Sequence, residues 1–241
     1  MTYLKMAMDP PRALPPYLAT AAVVSFEQGF YDAERDALDT FQWMGSSGRL
    51  SFAPSAGERY LELAVLSEFH DLSQELIVEG SGGAQRFALV GGWQRLPVTV
   101  APGVGHLDLQ TNKIFPGGYY PADSRVLAVR VRPPLLHGDA PRHAQIARQY
   151  RNAVANLREM LDGRRELAST PVSLGIDLHG ACNVKPPCVY CEWDFNKKLE
   201  GDDVDTPFTL ETLKEFGPYF DNAESLVNCS IGEPFMMKPI D

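Results

Sequence analysis

Cysteine is scarce in this chain and is not spread along it. The four cysteines of the 241 residues stand at 182, 188, 191 and 229, all within 48 residues. A disulfide scaffold closes long loops with distributed pairs, so this crowding excludes one and points to metal or redox chemistry in a reducing, cytoplasmic compartment. Arginine is absent from Thr170 onward, where 5 Lys face 13 Asp plus Glu, so −8 of the net −9 lies in the last 72 residues. An acidic segment repels a phosphate backbone, which excludes general nucleic-acid binding there. No apolar run approaches the ~20 residues that cross a bilayer. The longest run, at 17–26, follows a proline-rich lead and reads as a buried strand rather than the core of a signal peptide. Low-complexity runs and internal repeats are also lacking. With 44% apolar and 22% charged residues, the composition is that of an ordinary globular chain forming one large or two modest domains.

What is present divides into two styles of pattern. From about 26 to 136, apolar residues alternate in short segments: Leu50 and Phe52; Leu61, Leu63 and Val65; Leu76 and Val78; Phe87 and Leu89; Leu96, Val98 and Val100; Leu107 and Leu109; Leu127, Val129 and Val131. Period-two alternation puts one set of side chains on one face, as half-buried antiparallel strands require. Gly80-Ser81-Gly82-Gly83, Gly91-Gly92 and Pro102-Gly103-Val104-Gly105 read as hairpin turns between them. The first of these lacks the third glycine of a nucleotide-binding fingerprint, and no helical pattern follows it. Seven or so short strands at this spacing predict an antiparallel β-sandwich over residues 1–136.

A helix follows, linking the parts over residues 137–168. Ile146, Ala147, Tyr150, Ala153, Val154, Leu157, Met160 and Leu161 recur at helical spacing. Asp139 suits its N-cap, Pro141 its first turn and Gly163 its stop. Over residues 169–241, Val172 to Leu178 reads as a strand, then a long loop, a helix from Pro207 to Phe216 ended by Gly217-Pro218, and a second strand from Leu226. Strand, loop, helix, strand is one βαβ unit of a parallel sheet. The fold class expected is therefore a two-domain α+β protein. The acidic run Glu200, Asp202, Asp203 and Asp205 reads as a solvated loop, His70-Asp71 as loop surface, and Cys229 as a small core residue.

The loop holds Cys182, Cys188 and Cys191 at Cys-x5-Cys-x2-Cys spacing. Three thiolates can each hold one iron of a [4Fe–4S] cluster and leave the fourth iron open to a small ligand. A structural zinc site that adds Cys229 or His179 is the competing reading. His179 otherwise only caps the strand, and Trp193 either walls the site or packs. Leu174-Gly175-Ile176-Asp177-Leu178 with the three cysteines, Tyr190 just before the last of them, and Ser230-Ile231-Gly232-Glu233-Pro234 on the next strand resemble the radical S-adenosylmethionine enzymes. The cysteine spacing departs from the usual three intervening residues. The resemblance implies the opening βαβ unit of a truncated partial barrel belonging to a longer enzyme, with the cluster on Cys182, Cys188 and Cys191. It also implies S-adenosyl-L-methionine held by Tyr190, Gly232, Glu233 and Pro234. By the same resemblance, the enzyme forms a 5′-deoxyadenosyl radical, takes electrons from a flavodoxin- or ferredoxin-type donor, and abstracts hydrogen from a small-molecule or glycan-related substrate.

In the N-terminal part, Gly29-Phe30-Tyr31, Glu34, Phe41-Gln42-Trp43-Met44 and Gly48-Arg49-Leu50 resemble the start of β-sandwich accessory domains on bacterial glycan-modifying enzymes. That resemblance implies a carbohydrate- or partner-binding module. The aromatic loop from Phe115 to Pro121 would either stack on a sugar ring or only pin the loop. The alternative function for the whole chain is thus a non-catalytic glycan- or protein-binding sandwich with a zinc-binding cysteine tail.

Overall fold

Alternation over 61–66 sends Leu61, Leu63 and Val65 to one face of a strand and Glu62, Ala64 and Leu66 to the other. The computed structural model, which describes residues 23–35, 40–80, 82–115, 123–176 and 210–228, buries the first set completely. The chain divides into two compact units, Met1–Tyr150 and Arg151–Asp241. Among the described residues of the first unit the strands are β1 (Val24–Phe26), β2 (Phe30–Arg35), β3 (Thr40–Met44), β4 (Ser47–Phe52), β5 (Arg59–Ser67) and β6 (Glu75–Glu79). They continue with β7 (Gln85–Ala88), β8 (Gly92–Val100), β9 (His106–Thr111), β10 (Val129–Val131) and β11 (Leu135–His137).

These strands form two antiparallel sheets. The first runs β1-β4-β9-β6-β7. The second runs β8-β5-β10-β3-β2, and β11 lies beside β5 at Glu62, Leu61 and Tyr60, beyond the stretch that pairs with β10. The inward sets meet in one core: Leu50, Leu76, Val78, Leu107 and Leu109 from the first sheet, and Met44, Leu61, Leu63, Val65, Leu96, Val98, Val129 and Val131 from the second. Two sheets closed face to face over one apolar layer make a β-sandwich. Pro97 sits in β8, an edge strand, where its missing N–H costs no ladder bond.

The glycine turns divide into two kinds. Gly80 (φ +100°) opens a true hairpin between β6 and β7, and a Cβ there would lie 2.9 Å from the His106 carbonyl oxygen. Gly91-Gly92 and Pro102–Gly105, expected as hairpins, instead carry the chain from one sheet to the other and back. Such crossings are what allow two inner faces to meet.

Helix α1 (Ala140–Leu161) runs across the division between the units. Asp139 caps its start, accepting a hydrogen bond from the Arg142 N–H at 3.0 Å. Its first half lies on the outer face of the second sheet. There Arg142 donates to the nearly buried Glu62 carboxylate at 2.6 and 2.9 Å and Arg95 donates to Gln149 at 3.0 Å, while the Tyr150 hydroxyl reaches the end of β7 in the first sheet and donates to the Ala88 carbonyl at 3.1 Å. His143 stacks on Tyr60 at 4.3 Å, and burial holds its pKa below the ordinary imidazole value.

In the second unit, α1 stops at Gly163 (φ +67°). The Gly163 N–H donates to the Met160 carbonyl and the Arg164 N–H to that of Glu159, which is a Schellman closure. The Glu159 carboxylate accepts hydrogen bonds from Ser169, through hydroxyl and N–H, and from the Ala168 N–H; these hold its pKa below the usual range. Strands β12 (Ser173–Ile176) and β13 (Ser225–Asn228) then pair in parallel. Helices α2 (Leu210–Glu215) and α3 (Gly217–Phe220) lie between them in the chain. Gly217-Pro218, expected to end a helix, begins a new turn, because proline in a first turn forfeits no helical bond. Strand, helices and parallel strand agree with the βαβ unit expected here, but nothing among the described residues extends it into the radical S-adenosylmethionine partial barrel, which is not supported as the fold of this part.

Candidate functional site

The pleat of the second sheet builds the candidate site on its outer face. Cross-strand register places Trp43 of β3 opposite Arg130 of β10, Arg130 opposite Leu66 of β5, and Leu66 opposite Trp93 of β8. Arg130 accordingly lies over the Trp43 ring at 4.7 Å and over Phe41 at 5.3 Å, and Arg132 lies over Trp93 at 3.9 Å. Phe41, Trp43, Phe115 and Leu127 form a second apolar cluster on this face. Trp43 is only 4% exposed and Phe41 6%. Phe115 is buried as well, stacked on Phe69 at 5.3 Å and set edge-on to Trp43 at 5.9 Å. Of the two roles weighed for the aromatic loop, Phe115 performs the pinning one; 116–122 lie outside the described residues.

At the β2–β3 side of this cluster is a recess of about 230 Å³ lined by Glu34, Phe41, Trp43, Asp123, Arg125, Leu127 and Arg130. Glu34 reaches it because it stands opposite Phe41 in the β2–β3 register. Arg125 organises the rim. Its guanidinium donates to both Asp123 oxygens, at 2.9, 3.0 and 2.5 Å, and to Glu34 at 2.5 Å. These hydrogen bonds hold the Asp123 carboxyl at about 2 and raise the Arg125 pKa in turn. Arg125 also lies over the Tyr31 ring at 5.2 Å, while the Tyr31 hydroxyl accepts from the Val126 N–H at 3.2 Å. Arg130 donates to Glu68 at 3.2 Å. The recess therefore joins an apolar floor to a rim of preformed carboxylate–guanidinium pairs.

A second recess of about 210 Å³, beside β4 and β9, is formed by Gln28, Ser47, Arg49, Asp108 and Gln110 among others. Arg49 and Asp108 meet there in a two-pronged pair at 2.7 and 3.0 Å, which holds the Asp108 pKa below the usual carboxylate range. No aromatic ring lines it, so the first recess is the better candidate for an organic ligand.

The residues singled out from sequence as a site, Cys182, Cys188, Cys191, Tyr190, Gly232, Glu233 and Pro234, all lie outside the described residues, as do His179, Trp193 and Cys229. Among the described residues no group of three or more His, Cys, Asp or Glu could hold a metal ion. Among them, too, no helix is long and apolar enough to cross a membrane. Glu34, Phe41 and Trp43 stand in the segment that resembled accessory domains, whereas Asp123, Arg125 and Arg130 gave no sign of a site in the sequence. Glu34 and Arg125 are separated by 91 positions, and the β10-β3-β2 order of the sheet brings them together.

No protein-family model matches the chain, and no curated protein does. Solved structures similar to it include a carbohydrate-binding module (CBM6cm-2) of Cellvibrio mixtus lichenase 5A in complex with cellotriose, at 15% identity. That likeness covers 51% of this chain and 98% of the module, with a TM-score of 0.32. The C-terminal CBM6 of LamC, a laminarinase from Zobellia galactanivorans, is 11% identical over 51% of this chain and 96% of its own, with a TM-score of 0.29. The module TmCBM61, in complex with β-1,4-galactotriose, is 11% identical over 49% and 88%, with a TM-score of 0.26. At these scores the likeness fixes no ligand, and the site rests on the geometry above.

These findings correct the radical S-adenosylmethionine expectation. No family model and no curated relative supports a radical enzyme, and among the described residues no group of side chains is fit to hold a cluster. The assignment as an enzyme, the [4Fe–4S] cluster, S-adenosyl-L-methionine and the external electron donor are withdrawn together. The physical reason is that three cysteines and a Gly-Glu-Pro tripeptide are short motifs that fix no fold, and the same thiolates suit other metals.

Proposed function

We propose that the sandwich is a non-catalytic glycan-binding module that takes saccharide in the recess bounded by Glu34, Asp123, Arg125 and Arg130. The observation that carries this reading is the joining of apolar floor and paired polar rim in one concavity. A sugar ring offers an apolar C–H face and a fringe of hydroxyls that both donate and accept. Such a ligand needs fixed carboxylates and guanidinium groups around an apolar floor. Because Arg130 covers the Trp43 and Phe41 rings, sugar contact falls to the polar rim rather than to an open stacking platform. At about 230 Å³ the recess is smaller than the roughly 300–1,000 Å³ of pockets for drug-sized molecules, so it admits a single ring or chain end.

Affinity gel electrophoresis over immobilised β-glucans and galactans tests the reading. The chain should be retarded by at least one neutral polysaccharide, and Asp123→Asn, with an unchanged circular dichroism spectrum, should lose most of the retardation. Equal retardation of the two proteins would remove the recess from the account.

The organisation proposed for the whole chain is a sandwich over residues 1–136, a linking helix over 137–168 and a third part over 169–241. Cys182, Cys188 and Cys191, with Cys229 or His179 as the fourth ligand, are proposed on their spacing alone to hold a structural zinc ion in that third part. A cytoplasmic location goes with the reducing compartment that four crowded cysteines require.

A further inference from the structure

We infer that the recess selects neutral saccharides against anionic ones, a step that rests on the glycan-binding reading above. The basis is that its arginines are already committed within the fold. Arg125 divides its donors between Asp123 and Glu34, and Arg130 donates to Glu68 while its plane rests on Trp43 and Phe41. Each guanidinium is thus met by a carboxylate before any ligand arrives. A carboxylate or sulfate on an incoming sugar would find two anionic side chains, Glu34 and Asp123, on the rim. It would have to displace one of them from Arg125 to gain a partner of its own. Hydroxyls face no such conflict, because a carboxylate engaged by arginine still accepts from an O–H through its remaining lone pairs. Arg125 is then the residue that sets specificity, by neutralising the rim without leaving an excess of positive charge.

The test is calorimetric titration of the full chain at low salt with cellotriose and β-1,4-galactotriose, each beside its C6-carboxylate form. The expected result is that a neutral trisaccharide binds at least about tenfold more tightly than its carboxylate form. Glu34→Gln, which removes one rim charge and frees one arm of Arg125, should narrow that ratio, and added salt should narrow it in the wild-type chain. Equal or tighter binding of a carboxylate form by the wild-type chain overturns the selectivity and leaves the glycan-binding reading standing. A ratio unmoved by both Glu34→Gln and salt also overturns it. Binding of neither form overturns both.

Discussion

Leu63 and Leu66 lie on one strand three residues apart and differ in the face to which they point, which makes them a matched test of the sandwich. Leu63 is fully buried in the shared core, whereas Leu66 lies half-buried on the outer face between Arg130 and Trp93. Leu63→Ala removes the transfer energy of the lost methyl groups and leaves a cavity between two sheets that cannot collapse. The cost is about 3 kcal/mol, within the 2–5 kcal/mol of such changes. Leu66→Ala loses part of the transfer energy and leaves no closed void, which costs about 1 kcal/mol. For a sandwich of this size the first should lower Tm by about 10 °C and the second by a third of that. Thermal melts followed by tryptophan fluorescence in a Trp193→Phe background report Trp43 and Trp93 of the sandwich alone. Equal losses for the two variants, or a larger loss for Leu66→Ala, would show that the face assignment of β5 is wrong.

Three further outcomes are expected. Burial against Tyr60 and Thr99 lowers the pKa of the His143 imidazole, so folding favours its neutral form. Its contribution is therefore present above the unfolded value of about 6.5 and is lost as pH falls below it. Tm should drop between pH 7.5 and 5, and His143→Gln should flatten part of that slope; an unchanged slope would exclude His143 as a contributor. Residues 1–136 expressed alone should give a cooperative β-type melt. Residues 1–150 should melt higher, because they add the Arg142–Glu62 and Arg95–Gln149 bonds; a random-coil spectrum for the shorter chain would refute its independence. If the cysteines hold zinc, the purified full chain is colourless with about one zinc per chain, lost on Cys182→Ala but kept on Asp123→Asn; iron in its place by elemental analysis would sink that proposal.

The sandwich was legible where one face of a strand is buried and the other is not. Leu61-Glu62-Leu63-Ala64-Val65 alternates cleanly because Glu62 and Ala64 lie on the outer face. β3 hid itself because Phe41 and Trp43 are buried under the outer cluster while Met44 is buried in the core, so no alternation survives. β2 was masked by its bulge between Phe30 and Ala33. Glycine turns showed where strands end but not whether the chain returns to the same sheet, a choice made by the packing of the whole. Most of the site was hidden for a related reason: Arg125 and Asp123 carry no motif and meet Glu34 only after the sheet forms. The cysteine spacing did the opposite. It drew a specific chemistry from a few residues, and neither a family model nor a described set of ligands supports that chemistry.

Backbone amide shifts of the isotopically labelled chain, followed while a neutral trisaccharide is titrated in, test the central proposal most directly. The account predicts saturable shifts gathered on Glu34, Phe41 to Trp43, and Asp123 to Arg130, with the Arg49–Asp108 recess unmoved. Absence of shifts with any neutral saccharide, or shifts confined to the Arg49–Asp108 side of the sandwich, would contradict it.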